Sequence, residues 1–455
     1  MRREARSRIR NERIGHVRAW AVLAVLLAMA GVAGSVWRPF APVLAEVGTD
    51  LDAFDPAVLA TVRAYRAPLL PIALIATVLP LLVPLAAVAT ARGRRLVVAL
   101  AGGAGTGAPA WRAGLIALVI TLGTSLATLP LAAWVRLVHD ARWEFRTQTA
   151  AAWLGDWTAV HAGRAALVAA AVWAGVAAIR RWPRSWPYRA TVAATGIAAL
   201  GVVVHPVLLL PVTLPTEELG PGAAQRLTID PVLEAADEPD LPVYVAEESR
   251  RSTRVNALAT GLGPTARVVV YDNLLELPGD QVASVVAHEI AHHQHRDLLR
   301  GVLLVATGSL PALLLVRRVV GSDGVQRRVG ARSVSDPRLV GVVLLMVASL
   351  DLVSQPAING VTRNLEAAAD ARALEIGGDP TTLIASTRTY TIRDLSDPEP
   401  PAWVRVMFRT HPSVGERVRQ AVALAERDGL PLPTQEQIED REASQRHPAV
   451  VEVAP

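Results

Sequence analysis

The 455-residue chain contains no cysteine. That absence excludes disulfides, iron–sulfur clusters, cysteine-ligated zinc and thiol nucleophiles together. It contains no lysine either, so all 46 basic side chains are arginine. Charge is scarce, at 19% of residues, where soluble domains carry about 25%. Aromatic residues make up 4%. Apolar residues dominate instead: 51% of the chain is hydrophobic, and its mean hydropathy is +0.32. So much apolar surface must be buried or placed in lipid, which excludes a disordered chain and argues against an ordinary soluble enzyme. The net charge is +5, but the arginines sit in clusters between apolar runs. That is the arrangement of a membrane protein, with no nucleic-acid partner implied.

Seven stretches reach the roughly 20 residues needed to cross a bilayer: 17–37, 67–90, 113–138, 163–180, 189–214, 299–320 and 338–358. The first is read as a retained anchor rather than a signal peptide, because its apolar run is long. The run Leu96–Gly107 reads as a loop or re-entrant piece, on its glycines and length. A polar block, 215–298, separates spans five and six. In it Pro242–Glu247, Arg254–Thr260 and Ala266–Tyr271 predict short strands, with a turn at Gly261–Pro264. A helix follows Pro278, with Asp280 as the expected N-cap. From Asn359 a second polar block reads as helical to Ile376 and stops at Gly377-Gly378-Asp379-Pro380. The tail after Asp428, rich in Pro, Glu, Gln and Arg, reads as solvated and mostly disordered.

His288-Glu289-Ile290-Ala291-His292 has the pattern H-E-x-x-H. On a helix, residues i and i+4 share a face, so both imidazoles can reach one metal ion. Glu289 lies beside that face, where a carboxylate can take a proton from an activated water. Zinc suits two imidazoles and a carboxylate, with one position left open. A third histidine six residues past His292 is excluded, since that position is Leu298. His295, one turn beyond His292, reads as a solvated or supporting residue. The remaining source is an acid on another helix. Glu366 and, one turn on, Asp370 supply it: Glu366 to ligate the metal, Asp370 to accept the other N–H of a ligating histidine.

The segments Ser249–Leu277, Val286–Asp297 (VAHEIAHHQHRD), Arg363–Asp370 (RNLEAAAD) and Thr410–Arg417 (THPSVGER) resemble, in kind and order, the type I CAAX prenyl proteases and HtpX-like membrane zinc peptidases. Phe145–Asp156 is similar to the loop before the fourth span of that family. The resemblance implies an integral membrane, mainly α-helical protein. It would have about seven transmembrane helices and a gluzincin-type α+β peptidase domain with a small antiparallel sheet. The implied division is 1–214 with five spans, 215–298 with the strands and zinc helix, a membrane hairpin 299–358, 359–427 with the third ligand, and a disordered tail 428–455. It further implies one Zn2+ per chain, Asn256 on substrate backbone, and His411 as oxyanion or substrate partner. A strand Val268–Tyr271 would offer its edge to a peptide, with Ala257, Val269 and Tyr271 as contacts. Asp351, in the seventh span, would line a water-filled chamber or serve helix packing.

These residues predict a multi-pass cell-membrane zinc metalloendopeptidase acting on extended or unfolded protein. Zinc is held by His288, His292 and Glu366, with Glu289 as base. Two alternatives stay open. One is an intramembrane-cleaving protease, disfavoured by Gln294, His295, Arg296 and Asp297 directly after the motif. The other is a zinc-binding membrane sensor without general protease activity. Cytoplasmic loops carry excess arginine. With seven spans the arginine-rich N-terminus and the loops after spans two, four and six share one side. The active site then faces away from the cytoplasm.

Overall fold

A computed structural model describes residues 53–103, 107–377, 379–443 and 447. The expected first span, 17–37, lies outside the described residues.

Helix α1 (Pro56–Arg66) runs almost directly into α2 (Leu69–Ala89). Next comes α3 (Ala91–Ala101), capped by the Thr90 hydroxyl and closed by Gly102 at φ +87°. The loop expected over Leu96–Gly107 is therefore helical in its first half. Gly102, Gly103 and Gly107, all at positive φ, behave as read. Helix α4 (Trp111–Ala133) continues through a π-helical stretch to Arg142. Helix α5 (Ala150–Arg181) far exceeds the 18 apolar residues that betray it, and α6 (Trp186–Val204) continues irregularly to Thr213. Counting continuations, six helices among the described residues are long and apolar enough to cross a membrane. Their apolar side chains point outward: Leu167, Val192, Ile197 and Val353 are each 70% or more exposed. Only lipid makes that arrangement favourable.

The polar part begins with β1 (Thr216–Glu218), α7 (Arg226–Ala235), β2 (Val243–Ala246), β3 (Ala257–Thr260) and β4 (Arg267–Tyr271). Their order in the sheet is β1-β2-β4-β3. The sheet is mixed, not antiparallel as expected: β2 and β4 pair in parallel. Strand β1 escapes sequence reading because Thr-Glu-Glu is a short polar edge. Gly261, at φ +84°, turns β3 towards β4; a Cβ there would overlap the Thr265 carbonyl.

Helix α8 (Gly279–Gln294) packs across the sheet through Val282, Val286 and Ile290. Its N-cap is Pro278, so Asp280 falls in the first turn and not at the cap. The chain breaks at Arg296, whose φ of +55° is left-handed, and enters the membrane as α9 (Asp297–Val320). After α10 (Asp323–Val329), α11 (Val340–Gly377) runs unbroken for 38 residues. It crosses the expected 358/359 boundary without interruption, so the final span and the polar helix after it are one rod. Asp351 lies on it, lining a cavity of about 540 Å3 in the membrane body with His161 and Arg164.

Helices α12 (Pro380–Ile392), α13 (Ala402–Phe408) and α14 (Val414–Asp428) complete the core, followed by α15 (Gln435–Ala443). Helix α15 corrects the disordered reading of the tail as far as Ala443; 444–446 and 448–455 lie outside the described residues. Ile438 is fully buried, and Glu442 pairs with the buried guanidinium of Arg388. Helix α1 joins this cluster through Val58 and Val62, tying the membrane body to the polar part.

Candidate metal centre

Helix α8 presents His288 and His292 on one face, and the unbroken α11 brings Glu366 to meet them. One donor atom from each residue lies within 4.8 Å of the others. The Nε2 atoms of the two histidines are 3.1 Å apart. Glu366 oxygens stand 3.3 Å from His288 Nε2 and 3.6 Å from His292 Nε2.

The far side of each ring is fixed by a carboxylate. His288 Nδ1 is 2.8 Å from Asp370, and His292 Nδ1 is 2.8 Å from Asp297. With both Nδ1 hydrogens committed, each Nε2 turns its lone pair to the same point, as in carboxylate–histidine–metal arrangements. Behind Asp370, Arg417 donates two bonds, at 2.7 and 2.6 Å. The surroundings favour positive charge at the meeting point. Burial opposes an imidazolium, but the neighbouring Asp370 and Glu366 carboxylates outweigh it and push His288 up to about 9. For His292 burial is likewise outweighed, by Asp297 and Glu366, which push it up to about 10. Glu366 Oε2 is buried without a hydrogen-bond partner. Two imidazole lone pairs and a carboxylate facing one another form a donor set that fits a divalent metal such as zinc.

Glu289 sits beside the cluster, its Oε2 accepting the Ala259 N–H at 2.7 Å. It borders two cavities. One, of about 360 Å3, holds Asn256, His288 and His411. The other, of about 220 Å3, holds Leu258, His292 and Leu365. The His411 side chain is 61% exposed, with Nε2 3.3 Å from Glu366 Oε2. His295 stands apart from the three donors: its Nδ1 is buried without a partner.

The expected peptide edge needs correction. Val268–Tyr271 belongs to β4, whose two edges are taken by β2 and β3. Val269 is fully buried, and neither it nor Tyr271 offers a free main-chain edge. The sheet's edges are β1 and β3, and β3 is the one beside Glu289. The Asn256 carbonyl turns inward to Tyr271 N–H, whereas the Ala259 N–H turns outward to Glu289. By strand alternation Ala257 also faces outward.

Two residues escaped the sequence reading. Asp297 follows the zinc helix, but only the left-handed turn at Arg296 folds its carboxylate back onto His292. Arg417 lies one turn into α14, and its reach to Asp370 depends on how α14 packs against α11. The turn that starts α14, capped reciprocally by Ser413 and Glu416, was the available local signal.

Residues 224–425 match the sequence model of peptidase family M48. An uncharacterised metalloprotease of Bacillus subtilis, YhfN, is 25% identical over 311 residues, 67% of this chain and 71% of that protein. A CAAX prenyl protease 1 homolog of Dictyostelium discoideum is 31% identical over 138 residues, 30% of this chain and 32% of its own length. A protease HtpX homolog of Thermoanaerobacter pseudethanolicus is 29% identical over 218 residues, 43% of this chain and 70% of that protein. The crystal structure of S. mikatae Ste24p superposes with a TM-score of 0.72 at 18% identity, over 88% of this chain and 97% of that one, and shows the shared fold. Over residues 224–425 the chain is similar to peptidase family M48, beside six helices long and apolar enough to cross a membrane, and the resemblance to CAAX prenyl protease and HtpX-like membrane metalloproteases is borne out.

Proposed function

We propose that the protein is a zinc-dependent endopeptidase, with one zinc held by His288, His292 and Glu366. The observation that carries this is the convergence of two Nε2 lone pairs and a buried carboxylate, both rings locked from behind. A zinc ion held there supplies Lewis acidity, making a nucleophile of water at neutral pH and polarising the scissile carbonyl. Glu289 takes the proton of the attacking water and returns it to the leaving amine. Asp370 and Asp297 keep the two imidazoles in the ligating tautomer. His411 offers an N–H to the carbonyl oxygen as it gains charge. The peptide lies as an added strand on β3, using main-chain groups of Ala257 and Ala259, with the Asn256 amide on its backbone. Such binding reads main chain more than side chain and suits extended or unfolded protein. Stripping the purified protein with a chelator and adding zinc back tests the reading. Hydrolysis of a quenched peptide is expected to vanish and return fully at one equivalent. Activity indifferent to chelation would refute it.

We also propose that the catalytic side faces away from the cytoplasm. Arginines support this, because the loops bearing them meet at the end of the helical body remote from the peptidase. Arg180 reaches the carbonyls of Ala108 and Ser335, and Arg317 that of Arg184. That end gathers Arg92, Arg94, Arg95, Arg181, Arg189, Arg327 and Arg328 as well, and the positive-inside rule assigns it to the cytoplasm. Alkaline phosphatase fused after Asp428 is expected to be active; fluorescence from a cytoplasm-only reporter there would reverse the assignment.

A further inference from the structure

The Arg409 guanidinium makes no hydrogen bond or ion pair among the described residues, whereas the arginines around it do. Arg417 clamps Asp370, and Arg66 bonds the Leu395 carbonyl. Arg409 is half-buried in the wall of the cavity that also holds His288, Glu289 and His411. A guanidinium carries five donors and no acceptor, so leaving it partly out of water and unpaired is costly. Burial accordingly holds its pKa below the usual arginine value. The acid that attracts it, Asp397, stands beyond ion-pair distance and accepts the Glu399 N–H at 3.1 Å instead.

The position of Arg409 is fixed with respect to the metal centre. Its carbonyl accepts a bond from Arg363 at 2.8 Å, and its N–H bonds the Arg405 carbonyl at 3.2 Å. Arg363 lies on α11 one turn before Glu366, so the helix that carries the third metal donor also holds Arg409. The cavity on the other side of Glu289 has no arginine in its wall; Leu258, Leu298 and Leu365 line it together with His292, Asp297 and Glu366. Of the two cavities only the first has arginines in its wall, Arg409 and Arg417, beside Asp397.

We propose that Arg409 is a specificity residue that binds a carboxylate of the peptide substrate, on the side of the scissile bond lying over the Asn256–His411 cavity. This rests on the reading of the site as a peptidase. Two sources carry the same chemistry: an acidic side chain, or the free C-terminus of a short tail beyond the cleaved bond. Either presents two oxygens to the planar fork of the guanidinium.

The test uses the zinc-loaded full chain and quenched peptides sharing one scissile sequence. One peptide is neutral and C-terminally amidated. Others carry a single Glu, or a single Lys, at each of three positions on either side of the bond, and one has a free C-terminal carboxylate. A charge-assisted pair predicts that kcat/KM for the best acidic peptide exceeds that for the neutral one by about tenfold. In Arg409→Gln that ratio falls to about one, Arg409→Lys retains part of it, and Arg409→Glu turns the preference towards the Lys peptide. A gain confined to an internal Glu identifies a side chain, and a gain confined to the free acid identifies the terminus. A ratio of one in the unaltered protein, or a preference that persists in Arg409→Gln, overturns the proposal. If no peptide is cleaved, the peptidase reading fails separately. Fluorescence anisotropy of the same peptides on Glu289→Gln protein then decides the Arg409 claim, and equal affinity for acidic and neutral peptides overturns it.

Discussion

His288 is held by Asp370, 82 residues along the chain, and behind Asp370 by Arg417. His292 is held by Asp297, only five residues on. The first arrangement is fully enclosed: Asp370 and Arg417 side chains are 3% and 12% exposed. The second is a local hook made where the zinc helix breaks, and Asp297 also bonds Arg300, which is 35% exposed. One half of the metal centre therefore depends on the tertiary packing of α8, α11 and α14. The other half depends on the turn at Arg296. The same geometry at two imidazoles is reached once by long-range burial and once by local backbone.

Breaking the shared element has the largest effect expected. Glu366→Ala removes the donor facing both rings, and zinc content after dialysis against a weak chelator is expected to fall to near zero. His295→Ala, which changes no member of the donor set, keeps its metal. Metal loss in His295→Ala with retention in Glu366→Ala would show that the third ligand is elsewhere.

The supporting carboxylates separate the two halves. Asp370→Ala and Asp297→Ala are each expected to weaken metal binding by about 10–100-fold, the usual cost of losing such a partner. Their effects on folding differ. Asp370→Ala strands the buried Arg417, which costs about 3–5 kcal/mol. Asp297→Ala removes a local pair whose other partners, His292 and Arg300, reach solvent, and strands no buried guanidinium, so a smaller loss is expected. Chemical denaturation of the metal-free proteins, beside metal titrations, measures both. Equal destabilisation by the two substitutions would mean that the contrast between enclosed and local support is unreal.

That contrast also explains what the sequence makes legible. The H-E-x-x-H pair is local, and one helix suffices to read it. The membrane helices are legible because each must be apolar over a fixed length. Glu366 becomes legible only beside the zinc helix, since an acid pair at i,i+4 is common on solvated faces. Arg417 carries no local signal of its partner. Asp297 needs a left-handed residue at a non-glycine position, which composition does not announce. The misread edge strand had a warning: Val268, Val269 and Val270 form a continuous apolar run, the mark of a strand covered on both sides. All three are fully buried. The tail misled because one isoleucine and one buried ion pair hold a segment of otherwise disorder-like composition.

The proposed mechanism turns on Glu289, read as the proton carrier and not as a metal ligand. The most direct measurement is zinc content and peptide hydrolysis of Glu289→Gln beside the unaltered protein. The account predicts one zinc per chain in both, with hydrolysis lowered by about 10²–10⁴ in the variant. A zinc-replete Glu289→Gln protein turning over peptide at a near-normal rate would contradict it.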